Sequence, residues 1–84
     1  MAEPNPEELV LLGIKSYKEQ DFSKDKGYFE KACDLNISGG CSNLGGLYYN
    51  GDGVKQDSKK AVALFEKACK LGHKKACEML KLLR

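Results

Sequence analysis

The chain has 84 residues, 42% of them hydrophobic and 31% charged, with a formal net charge of +2. A chain this short buries only about 60% of its unfolded surface, so one small domain with a marginal core and some added reinforcement is expected. The charge is too small, and acids and bases too interspersed, to argue for nucleic acid or an anionic membrane as partner, and no apolar run approaches the roughly 20 residues of a bilayer span.

The opening stretch MAEPNPEELV has neither a basic n-region nor an apolar core, so it does not read as a signal peptide. It reads as a start methionine on a mature or trimmed domain; if the native protein is exported, its leader has been removed.

The first predicted helix is PEELVLLGIKSYKEQ. Leu9, Leu12, Gly13, Ser16 and Tyr17 fall on one face at helical spacing. Asn5 precedes Pro6 and stands three residues before Glu8, a helix-start pattern. Asp21 caps a second helix that runs to about Leu35. Asn36 and the pair Gly39-Gly40 punctuate the following turn. A third helix is predicted from about Gly40 to Tyr49, stopped by Asn50, Gly51 and Gly53. Asp57 caps a fourth over SKKAVALFEKACKL, Gly72 ends it, and a fifth runs from His73 to about Leu83. The connections are short, so neighbouring helices pack antiparallel.

The chain repeats itself. At an offset of 36 residues, Asp21, Phe29, Cys33, Leu35, Cys41 and Leu44 recur as Asp57, Phe65, Cys69, Leu71, Cys77 and Leu80. Ahead of the first loop the offset is 32: Leu12, Gly13 and Tyr17 recur as Leu44, Gly45 and Tyr49. The difference is an insertion in the NGDGVKQD loop. The reading is one domain over 1–84, with an N-terminal helix pair at 6–35, a full repeat at 40–71 and a capping helix at 73–83.

Cys33 and Cys41 stand at the end of one helix and the start of the next, and the repeat puts Cys69 and Cys77 at the same place. Antiparallel helices on a short turn bring such positions within the ~5.5 Å Cα separation of a disulfide. Bonds Cys33–Cys41 and Cys69–Cys77 are therefore predicted out of three connectivities. Each is worth about 2–3 kcal/mol on the chain-entropy model and implies an oxidising compartment, secreted or periplasmic. The competing readings are reduced core cysteines or zinc. Zinc sites favour closer cysteine pairs, usually with more histidine, and the chain has one, His73.

The stretch CSNLGGLYYNGDGVKQDSKKAVALFEKAC resembles the Sel-one-like repeat family, relatives of the tetratricopeptide repeats. The cysteine-paired copies are similar to the Helicobacter cysteine-rich protein subfamily. The resemblance covers almost the whole chain. It implies an all-α fold, a short α-solenoid of antiparallel helix pairs, here five helices with two disulfides, whose first helices line a concave face. It also implies an adaptor role or, from the cysteine-rich members, penicillin binding with weak β-lactamase activity. Members usually carry more repeats. Joining an N-terminal pair directly to one full repeat and a terminal helix suggests a shortened or engineered version, and a bare scaffold without ligand is a third possibility.

On the first helices, Asn43, Tyr48 and Lys15 are the candidate binding residues, because tyrosine gives contact area with a polar tip and asparagine can grip a peptide backbone. Tyr17 and Tyr49 share one repeat position and read as core. A second candidate site is a break in the repeat. Asp25 stands where the other copy has Ala61, and Gly27 stands where it has Ala63. Either the shorter first unit leaves Asp25 solvated, or Asp25, Gly27 and Tyr28 form a contact surface.

No catalytic constellation is visible. Ser23 and Lys26 match a serine–x–x–lysine spacing formally, but that motif needs partner motifs and another scaffold. His73 reads as a cap or surface residue, NGDGVKQD lacks the spacing of a calcium loop, and no cofactor or metal is implied. The expectation is a non-catalytic module for a protein or peptide partner, without nucleic acid or membrane, and open to homodimerisation through exposed solenoid ends.

Overall fold

The computed structural model describes residues 5–83. The reading of Met1 as a start methionine lies outside the described residues. Five helices follow one another: α1 (Pro6–Lys18), α2 (Phe22–Asp34), α3 (Ser38–Asn50), α4 (Ser58–Lys70) and α5 (Lys74–Leu83). Each packs on the next in sequence, and α1 also touches α3. The result is a short all-α solenoid with extents of 43 × 25 × 17 Å.

The helix starts are set by side chains that satisfy otherwise orphaned amides. The Asn5, Asp21 and Asp57 carbonyl or carboxylate oxygens accept from the backbone N–H of Glu8, Lys24 and Lys60 at 3.0, 3.2 and 3.0 Å. His73 precedes α5 rather than beginning it, and its Nδ1 accepts the Ala76 N–H at 3.2 Å. α3 ends on Gly51 in the left-handed region, φ 75°, with its N–H bonded to the Leu47 carbonyl.

Gly39 and Gly40 were expected in the turn; they lie inside the first turn of α3. Gly40 is there for close approach. A β-carbon on it would stand 2.6 Å from Ala32 Cβ and 2.8 Å from the Cys33 amide nitrogen. The turn itself is made by Asn36, which takes φ 63°.

Both predicted disulfides are formed, with Cα separations of 4.5 Å for Cys33–Cys41 and 4.8 Å for Cys69–Cys77. No cysteine is free. They staple α2 to α3 and α4 to α5. Between the repeats, Lys67 Nζ donates to the Cys33 carbonyl oxygen at 3.0 Å, so α4 is tied to the end of α2.

The core runs the length of the stack through Phe29, Leu44, Phe65 and Leu80. Asp25 is embedded beside it. It is completely buried, and neither carboxylate oxygen has a hydrogen-bond partner. The expectation of a solvated Asp25 is overturned: the first unit closes over this position as tightly as the second closes over Ala61, which is equally buried. Desolvation by burial pushes the Asp25 pKa up; the Lys26 backbone N–H, close by but outside hydrogen-bond geometry, offsets part of this, and the Asp52 and Asp21 carboxylates add to the rise.

Candidate functional site

The candidate site is an open groove of about 380 Å³ between α1 and α3. Ile14, Leu47 and Phe29 give it an apolar floor. Asn43 and Asn50 come from α3, Tyr17 from α1 and Asp52 from the α3–α4 loop, and together they supply its polar groups. The α3 contributors fall at 43, 46, 47 and 50, one face of a helix by the 3.6-residue period.

Local structure positions each polar group. Asn43 Nδ2 donates to the Gly39 carbonyl at 2.9 Å, which fixes the amide and leaves its Oδ1 as an acceptor. The Asp52 N–H bonds to the Leu47 carbonyl at 3.0 Å just past Gly51, so the chain reversal delivers its carboxylate to the groove. Tyr17 Oη then donates to Asp52 Oδ2 at 2.9 Å. That hydrogen bond, with the nearby negative charge, raises the Tyr17 pKa above its ordinary 10.0. The Tyr17 ring meets Phe22 edge-on, with centroids 5.7 Å apart, so α1, α2 and the loop are joined at this corner.

Of the binding candidates Asn43, Tyr48, Lys15, Asp25, Gly27 and Tyr28, Asn43 lines the groove and the others do not. Tyr48 is buried, with Lys60 Nζ 4.4 Å from its ring centroid, on another side of α3. Lys15 is exposed on α1 outside the groove. The contact surface imagined at Asp25, Gly27 and Tyr28 loses its centre, because Asp25 is inaccessible; Gly27 is exposed and Tyr28 half-buried. Tyr17 and Tyr49, expected in the core, are 40% and 36% exposed. Their shared repeat position lies in the last turn of its helix, on a side that stays open to solvent.

Asn50, Asp52 and Ile14 were missed as site residues. Asn50 was within reach, seven residues after Asn43 on the same helical face. Asp52 depends on the path of a loop, which no periodicity encodes.

Two segments of the chain, 12–37 and 38–73, match the Sel1 repeat family. The chain belongs to the Sel1 repeat family. It is 65% identical over 60 residues to "Putative beta-lactamase HcpC" of Helicobacter pylori strain J99, an overlap of 71% of this chain and 21% of that protein. It is 55% identical over 62 residues to "Beta-lactamase HcpA" of the same strain, covering 74% of this chain and 25% of that protein. To "Putative beta-lactamase HcpE" of that strain it is 44% identical over 46 residues, 55% of this chain and 13% of the relative. The chain spans a quarter or less of the curated relatives it matches. These cysteine-rich Helicobacter proteins are its subfamily. The two disulfides imply an oxidising compartment, and among the described residues no helix is long and apolar enough to cross a membrane.

Proposed function

We propose that this Sel1-repeat chain is a non-catalytic module, secreted or periplasmic, that binds an extended peptide or protein segment in the groove between α1 and α3. The observation that carries this reading is the fixed Asn43 amide beside an apolar floor, with the Tyr17–Asp52 pair at the groove's end. A peptide backbone needs both a donor and an acceptor along its path, and an asparagine side chain offers both. Ile14, Leu47 and Phe29 supply the apolar contact that makes such a groove adhesive.

The names of the relatives offer a second reading, β-lactam binding with weak hydrolysis. The groove's lining carries one hydroxyl, the Tyr17 phenol. Its hydrogen bond to Asp52 disfavours the phenolate, which is the form a nucleophile would need. Binding without acyl transfer therefore fits this groove better.

The test is selection of peptides from a random displayed library against the oxidised chain, followed by affinity measurement with Asn43→Ala. Selected peptides should weaken about tenfold or more, the loss of one to two well-made hydrogen bonds. Unchanged affinity would remove the groove from the account, and failure to select any binder would favour the bare-scaffold reading.

A further inference from the structure

A second cavity, of about 480 Å³, lies on the other side of the α3–α4 loop. Three lysines from three separate elements converge on it: Lys26 from α2, Lys55 from the loop and Lys60 from α4. Among the described residues none of the three is held in an ion pair. Asp57 is the one acid in the lining, and its carboxylate is engaged as the cap of α4. Two full positive charges are therefore left over in one concavity.

The walls are held in place. Gln56 Nε2 donates to the Tyr49 carbonyl at 2.8 Å, and the Asp57 N–H to the Tyr48 carbonyl at 2.9 Å, so the loop is pinned to the end of α3. Gly53 takes φ 72° directly against the Phe22 side chain, where a β-carbon would collide with it. The loop therefore lies close on the start of α2. Lys60 is stacked over the Tyr48 ring, a cation–π contact that restrains its ammonium group.

We propose that this pocket is a second binding site, distinct from the Asn43 groove, for an acidic peptide segment presenting glutamate or aspartate side chains. Charge complementarity selects an anion. Lysines hold carboxylate and phosphate alike as point charges, so the choice of acidic side chains comes from the apolar Val54 and Tyr48 part of the lining. The cavity has room for several side-chain carboxylates, and Val54 and the Tyr48 ring give their methylene stems an apolar surface.

The experiment is a titration of the oxidised chain with acetyl-hexaglutamate-amide at low salt, followed by amide chemical shifts and calorimetry. Three proteins keep it decisive: wild type, the variant Lys26→Gln/Lys55→Gln/Lys60→Gln, and a charge-matched control variant, Lys31→Gln/Lys70→Gln/Lys75→Gln, at exposed positions elsewhere. Circular dichroism checks that all three fold. The proposal expects shifts centred on residues 26 and 53–60. It also expects binding weakened about tenfold or more in the first variant and within about twofold of wild type in the control. Equal weakening in both variants would overturn it in favour of bulk charge. Tighter binding of tripolyphosphate than of hexaglutamate at the same residues would overturn the carboxylate assignment.

Discussion

Phe29 lays its ring against Gly13: a β-carbon at position 13 would stand 2.7 Å from Phe29 Cδ1. The second repeat copies the arrangement, with Gly45 facing Phe65 Cε1 at 3.0 Å. This glycine–phenylalanine contact sets how closely the two helices of each pair approach, and so how α1 and α3 stand on either side of the groove. Gly13→Ala should lower stability by about 1–3 kcal/mol, the usual cost of overpacking. Gly27 is the contrast. It lies mid-helix with nothing near the β-carbon position, so Gly27→Ala should raise stability by about 0.5–1 kcal/mol. Urea denaturation of the two variants checks both signs.

Asp25 is a buried acid without a partner, standing where the other repeat places Ala61. Asp25→Ala should stabilise the chain by about 1–3 kcal/mol at neutral pH, the cost of an unsatisfied buried polar group. The effect should depend on pH. The folded-state pKa is raised above the ordinary 3.8, so between 3.8 and the raised value the folded chain holds more protons than the unfolded one. Native stability is then lost as pH rises through that window. The advantage of Asp25→Ala should be smallest below pH 3.8, where only the cost of a neutral unsatisfied carboxyl remains, and grow to its full size above the raised value. An advantage that is constant with pH would contradict this origin.

The two disulfides differ in access. Cys33 and Cys41 are 3% and 0% exposed, whereas Cys69 and Cys77 are partly exposed. Graded reductant with thiol trapping should open Cys69–Cys77 first, leaving an intermediate with Cys33–Cys41 intact. Replacing either pair by serine should cost about 2–3 kcal/mol.

The Tyr17–Asp52 hydrogen bond crosses from α1 to the α3–α4 loop. Ultraviolet titration should show one tyrosine ionising at higher pH than free phenol, since Asp52 raises the Tyr17 pKa. Asp52→Asn removes the charge and should bring that transition back down. Tyr17→Phe should remove it from the spectrum altogether.

Much of the fold was legible because it is local. The caps at Asn5, Asp21 and Asp57 sit in short sequence patterns, and the short turns between antiparallel helices, with the repeat register, located both disulfides. Asp25 was misjudged because the repeat says only that the position is a small one, not whether the shorter first unit seals it. Tyr48 was misread for a related reason. It is adjacent to Leu47 on α3, and one residue of helix turns a side chain by about 100°, away from the groove. Asn43 was found by residue type, and Asn50 could have been found by spacing. Asp52 reaches the groove through the left-handed turn at Gly51, and the lysine pocket gathers residues from three elements; both are products of tertiary structure.

The central claim is that the α1–α3 groove takes a peptide segment. The most direct measurement is an amide chemical-shift titration of the oxidised, isotopically labelled chain with a library-selected peptide. The account predicts the largest shifts at Asn43, Gly46, Leu47, Asn50 and Asp52, with Ile14 and Tyr17 following. Shifts confined to the exposed surface of α5, or spread evenly over the chain, would contradict it.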